Sequence, residues 1–254
     1  MISFSPDTRP EGAGRRKSIA AVFLLVVLTV LPIQAREAGA ATIEIAPVLI
    51  EMQGGATTTV AVSNRGTEQT AVQVRGFAWS QEGNEDNLTR TDALVVSPPI
   101  FQVPAGATQT VRILLRQPPS ATENSYRLIF DEVPPADDNA AVRFALRISI
   151  PVFSSPARPL QAKLISRLIV DANGKARLEI RNEGGKRSRV LNPVLTSAGV
   201  TLTAEGPPNP YVLPGITRRW TITGSAPRPG QKVNFSAETD GGPIKEDLLV
   251  AAGP

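Results

Sequence analysis

The chain contains 27 Lys and Arg and 23 Asp and Glu, but no His and no Cys. Whatever chemistry it does must come from carboxylates, cations, hydroxyls or aromatic rings. A Ser-His-Asp triad, a His- or Cys-type zinc site, a thiolate nucleophile and a disulfide framework are all excluded. Asp131-Glu132 and Asp137-Asp138 are carboxylate pairs of the kind that glycoside hydrolysis uses when two converge across a cleft, but they fall at a strand end and in a loop, where charge is expected anyway. Glu82-Gly83-Asn84-Glu85-Asp86-Asn87 is acidic enough to suggest calcium, yet its spacing lacks alternating ligands with a distant Glu, so it reads as a solvated hairpin loop. Lys186-Arg187-Ser188-Arg189 is basic but short and without interleaved aromatics, which favours surface solvation over nucleic acid. Phe77 and Trp79 share one face of a strand and read as core aromatics rather than a sugar platform. No catalytic constellation emerges, no Gly-x-x-x-x-Gly-Lys loop is present to bind a nucleotide, and no cofactor is implied.

The elements that must position these residues are strands and turns. The first 40 residues read separately, as a secretory signal. Arg15-Arg16-Lys17 precedes an apolar stretch from Ile19 to Leu31, and small residues follow at Ala38–Ala41. Cleavage is expected after Ala40, with Ala35 the alternative. Removing residues 1–40 leaves 22 basic against 20 acidic side chains, which is no basic stripe for nucleic acid. From Ala41 onward short β-branched runs alternate with Gly, Pro, Asn and Asp, and 23 prolines argue against long helices. The reading is all-β, with two β-sandwich domains at 41–156 and 159–254 joined by the short Pro-containing linker Ser154–Pro159.

One strand stands apart. Val142, Phe144, Leu146, Ile148 and Ile150 alternate with Arg143, Ala145, Arg147 and Ser149. Such a pattern fits a strand half-buried over its own core, and equally an edge strand that offers apolar side chains to another protein. Periodicity does not choose between them. If the strand lies at an edge, five large apolar side chains need a cover, and self-association through it would follow.

Ser97-Pro98-Pro99-Ile100-Phe101 with Val103-Pro104-Ala105-Gly106, Thr110–Ile113, Tyr126–Leu128, Asp131–Pro135 and Ile150–Phe153 resemble the first domain of periplasmic pilus chaperones of the chaperone–usher pathway. Asn182-Glu183-Gly184-Gly185 and Tyr211–Gly215 are similar to their second domain. The order and spacing hold across nearly all of 41–254, and Pro151 with the absence of Cys looks most like the archaic branch. The resemblance implies two immunoglobulin-like sandwiches set as a boomerang, a periplasmic location, and no enzymatic activity. It implies pilin subunits and an outer-membrane usher as partners. It also implies that 142–150 is a donor strand completing a pilin's unfinished sandwich, with Val142, Phe144, Leu146, Ile148 and Ile150 as the donor set.

Better-known members grip the subunit's terminal carboxylate with an Arg in the first strand and a Lys near the end of the donor strand. Alignment places Leu49 and Pro151 there, and neither side chain binds an anion. A hairpin between Tyr126–Glu132 and Val142–Ile150 would set Arg127 opposite Ile148, near the cleft end of the donor strand. Arg127, with Arg147 as helper, is therefore the expected carboxylate anchor. The alternatives are a structural ion pair for Arg127 and a solvated outer-face charge for Arg147. The competing function is a secreted two-domain β-sandwich that binds carbohydrate or a cell-surface protein.

Overall fold

The computed structural model describes residues 43–133 and 145–253. The signal read in 1–40, and Val142 and Phe144 of the expected donor set, lie outside these residues. All regular structure in the described part is β. The first half holds β1 (Ile43–Ala46), β2 (Ile50–Met52), β3 (Thr57–Asn64), β4 (Thr70–Glu82), β5 (Glu85–Arg90), β6 (Leu94–Ser97), β7 (Ile100–Val103), β8 (Thr108–Leu115), β9 (Asn124–Val133) and β10 (Arg147–Ser154). The second holds β11 (Leu164–Val170), β12 (Ala176–Asn182), β13 (Ser188–Ser197), β14 (Val200–Glu205), β15 (Tyr211–Val212), β16 (Thr217–Thr223), β17 (Lys232–Thr239), β18 (Ile244–Leu249) and β19 (Ala251–Ala252).

In the first half, sheet β1-β3-β8-β6 faces sheet β2-β10-β9-β4-β5, and β7 pairs with β4. Alternating side chains from each sheet meet between them: Val60, Val62, Val111 and Ile113 on one side, Val72, Val74, Leu128 and Phe130 on the other. Period-2 burial is what a sandwich imposes on strands with one face on the core, as in β3 and β8. Between β1 and β2 the chain is broken at Pro47-Val48-Leu49, so β1 joins one sheet and β2 the other. Pro has no amide to donate into a ladder, and the chain changes sheets there. In the second half β14 pairs with β13 on one side and β16 on the other, linking both layers into one strand path.

Both halves contain the same buried corner. The Asn64 side chain donates to the carbonyls of Glu68 (2.7 Å) and Val103 (3.0 Å) and accepts from the Gly66 amide (2.9 Å). Asn182 donates to Lys186 (2.8 Å) and Val212 (3.0 Å) and accepts from the Gly184 amide (2.9 Å). Each asparagine thereby satisfies backbone groups of two separate loops that burial would otherwise leave unpaired. Gly184 is required there, because a Cβ on it would lie 2.3 Å from the Gln161 carbonyl oxygen.

Candidate functional site: a half-open edge and the cleft at its end

β10 pairs antiparallel with β9 along its whole length, from Arg147 opposite Asp131 to Ser154 opposite Asn124. On its other side β2 runs parallel and covers only Val152–Ser154. Among the described residues, Arg147–Pro151 thus has backbone hydrogen-bonding groups with no strand beside them. The side chains follow a gradient along this edge. Ile150 is 2% exposed within the protein's own core, Ile148 is half-buried against that core, and Leu146 is 38% exposed. Ile150, expected in the donor set, is therefore occupied at home. The strand outruns its own sandwich only N-terminal to it, and that leaves Leu146 and Ile148 as the described apolar residues at the open end.

Arg127 does not lie opposite Ile148. It faces Pro151, while Ile148 faces Phe130. The β9–β10 connection takes up three more residues than a tighter hairpin would, since Glu132 bonds to Leu146. The shift carries Arg127 to the end of the open edge. There it lines a hollow of about 570 Å³ together with Val48, Leu49, Pro151, Arg189 and Tyr211. Leu49 and Pro151, the uncharged residues at the two positions where the resemblance led us to expect cations, line the same hollow. The Arg127 guanidinium carbon sits 3.9 Å from the Trp79 ring centroid. Stacking occupies its flat face and leaves the in-plane N–H groups for a ligand. Burial lowers its pKa, and the charges of Asp86 and Tyr211 only partly oppose this. Among the described residues no carboxylate reaches ion-pair distance of it.

Arg147 is elsewhere. It donates to Asp131 at 2.5 Å on the outer sheet face, and Asp131 also accepts from Arg75 at 2.5 Å. Four residues separate the Arg147 and Arg127 cross-strand positions, about 13 Å at the rise of a strand. The fold does not bring the expected helper to Arg127.

Arg189, read from sequence as part of a solvated basic run, lies at the cleft. It borders the same hollow on one side and a second one of about 470 Å³ on the other. Its backbone amide (2.9 Å) and Nε (2.7 Å) donate to Asp240. Burial alone would raise the Asp240 pKa, but these bonds outweigh it and hold the carboxyl below its usual range.

The residues beside the cleft join the two sandwiches, and two earlier readings change. Arg187 is not a solvated surface charge: it is 7% exposed, bonded to Glu123 at 2.5 Å and to Glu51, with its guanidinium 3.5 Å over the Phe153 ring. Trp79 is buried at the junction rather than in the first core, 5.8 Å from Phe153 and edge-on to Tyr211 at 5.7 Å. The segment Glu82–Asn87 is the largely exposed hairpin between β4 and β5 that the sequence suggested, and it also touches the second sandwich. Asn84 exchanges two hydrogen bonds with the Arg219 backbone (2.7 and 2.8 Å), and Asp86 binds Asn209 (2.6 Å) and Arg218 (3.3 Å). Arg218 is 1% exposed. Short polar sequences of this kind read as surface, because their partners are more than a hundred residues away. Among the described residues no group of three or more acidic side chains converges to hold a metal.

Residues 42–159 match the family model described as pili and flagellar-assembly chaperone, PapD N-terminal domain. The chain is 30% identical over 110 residues to chaperone protein FaeE of Escherichia coli, covering 41% of this chain and 40% of that protein, so it spans about two fifths of that curated relative. Among solved structures it is similar to a chain of the CsuC–CsuE chaperone–tip adhesion subunit pre-assembly complex from the archaic chaperone–usher Csu pili of Acinetobacter baumannii. The TM-score is 0.56 and the identity 25%, over 84% of this chain and 100% of the other. The Salmonella enterica SafA pilin complex with the SafB chaperone shares the fold, at a TM-score of 0.57 and 16% identity, over 82% of this chain and 97% of the other.

Proposed function

Because residues 42–159 belong to the pilus-chaperone family as its N-terminal domain, and the described chain has the fold of those chaperones, we propose that this protein is a periplasmic chaperone for pilin subunits. It holds a subunit by donor-strand complementation and delivers it to an outer-membrane usher. The observation that carries this reading is the half-open edge: among the described residues β10 has one strand partner over Arg147–Pro151, and apolar side chains emerge from its own core at Ile148 and Leu146.

A subunit lacking its last strand would find a ready ladder there. Each main-chain bond contributes roughly 0.5–1.5 kcal/mol net, and each apolar side chain buried in the subunit roughly 1.5–3 kcal/mol. Ordering both chains reduces the total, which leaves a complex that a better-fitting strand can displace without nucleotide. The family is one of chaperones rather than enzymes. A plain carbohydrate- or protein-binding module would need this strand covered on both sides, and the open edge speaks against that. Val142 and Phe144 extend the proposed donor set, and Arg127 anchors the subunit's terminal carboxylate.

Co-expression with a pilin-like subunit from the same organism tests the proposal. Native mass spectrometry should show a one-to-one complex that Leu146→Asp abolishes. A folded chain that captures none of several subunits would overturn it.

A further inference from the structure

The outer face of the β11-β12-β16 layer in the second sandwich carries a cross of arginines. Glu179 of β12 lies opposite Arg167 of β11 on one side and Arg219 of β16 on the other. Arg177 and Arg181 stand two residues before and after it, so all five side chains project from the same face. Neighbouring positions are about 5 Å apart across the strands and about 7 Å apart along one. Four guanidinium groups thus surround one carboxylate. In sequence these arginines are spread over 167–219, and only the pairing of three strands gathers them.

Glu179 holds two of the four in place without using them up. Its carboxylate accepts from Nε of Arg177 at 3.1 Å and from Nε of Arg219 at 3.0 Å, which leaves the terminal nitrogens of both forks uncommitted among the described residues. Burial alone would raise the Glu179 pKa, but these bonds outweigh it and hold the carboxyl below its usual range. Arg167 and Arg181 are exposed and make no ion pair among the described residues. The β4–β5 turn borders the face at Arg219, and a second carboxylate, Glu205, sits on the rim beyond Arg177, across Thr221. The open side is therefore β11, where Ile165 and Ile169 flank Arg167 and lie opposite Arg181 and Arg177.

An acidic polypeptide offers its carboxylates along a line, whereas these cations spread over three strands in two dimensions. Each phosphate of a flat lipid surface can meet its own arginine, in the bidentate geometry that guanidinium favours. Isoleucines beside the cations suit the boundary between headgroups and acyl chains. We propose that the face formed by Arg167, Arg177, Arg181 and Arg219 docks the protein on an anionic phospholipid surface. These arginines lie on different strands from the open edge of β10, and none of them lines either hollow, so docking does not call on the residues proposed to hold a subunit.

The test is co-sedimentation with neutral phosphatidylcholine vesicles and with vesicles doped with phosphatidylglycerol. Protein recovered from the periplasm of expressing cells is used, and all compared chains share one N-terminus, so any partitioning of the apolar run Ile19–Leu31 cancels. The doped vesicles should bind more tightly, and molar salt, which shortens the screening length to about 3 Å, should remove the difference. Each arginine at such a surface contributes roughly fivefold to partitioning, so the double variant Arg167→Gln/Arg181→Gln should lose about 25-fold. Its urea midpoint should not move, because both side chains are exposed. The double variant Arg112→Gln/Arg116→Gln removes the same charge from exposed positions of the first sandwich and should bind like wild type. Equal affinity for doped and neutral vesicles, or equal loss in the two double variants, would overturn the docking face. So would binding to a poly-glutamate peptide that doped vesicles fail to displace, which would make the face a seat for an acidic polypeptide.

Discussion

Arg127 and Arg187 show how differently two arginines of one chain can be used. Arg187 is buried and neutralised, with Glu123 and Glu51 on its nitrogens and Phe153 against its face. Arg127 is stacked on Trp79 and, among the described residues, has no carboxylate in reach. Removing Arg187 strands Glu123, so Arg187→Ala should cost roughly 3–5 kcal/mol, the usual penalty for breaking a buried pair, seen in urea denaturation. Arg127→Ala should leave stability almost unchanged and weaken subunit capture.

Acid should act through the other carboxylates. The hydrogen bond from Arg187 lowers the pKa of Glu51. At Asp131 burial pushes upward, but the bonds from Arg147 and Arg75 prevail and the pKa is lowered. A carboxylate whose folded pKa is depressed contributes stability that is complete above its unfolded value, about 3.9–4.3, and lost as pH falls through the folded one. The midpoint of urea unfolding should therefore fall below about pH 4.5, and Asp131→Asn should flatten part of that fall.

At the scale of a strand, β10 is two things in sequence. Its C-terminal half is core, with Ile150 and Val152 buried and β2 beside it. Its N-terminal half is edge. The same apolar alternation runs through both, so identical substitutions should diverge. Ile150→Ala should destabilise the free protein by roughly 2–5 kcal/mol, measured by denaturant titration. Leu146→Ala should barely change stability and should reduce capture instead. Natural edge strands are protected by charge, bulges or cover, and the charges here stand just off the edge. Arg147 is paired with Asp131, and the Leu146 amide donates to Glu132 (3.2 Å). These contacts hold the Leu146–Arg147 backbone extended, which on the proposed function lowers the ordering cost of binding.

For the whole molecule, the decisive feature is a polar junction around an aromatic centre. Trp79, Phe153, Tyr211 and Leu213 meet between the sandwiches. Arg187 closes one side, and the β4–β5 turn closes the other through Asn84 and Asp86. Because Arg218 is buried, Asp86→Ala leaves a cation without its carboxylate, and Asn84→Ala removes both bonds to the Arg219 backbone. The double variant should keep each sandwich folded while broadening the distance between spin labels placed on the two. An unchanged distribution would mean that the aromatic centre alone fixes the junction.

The sequence by itself determined the all-β class, the many strands, the apolar alternation of 142–150 and the uncharged side chains at positions 49 and 151. These are local facts: side chains two apart share a face, and Leu or Pro carries no charge wherever it folds. It did not determine that Ile150 belongs to the protein's own core, because one alternation serves both a core and an edge. Nor did it place Arg127 opposite Pro151, since register depends on how many residues the β9–β10 connection consumes. The basic run 186–189 reads as solvated, yet Arg187 and Ser188 are buried beside the cleft, and the exposed hairpin 82–87 makes contacts with the second sandwich that its sequence does not show. Their partners lie far along the chain, so only the packed tertiary structure brings those charges together.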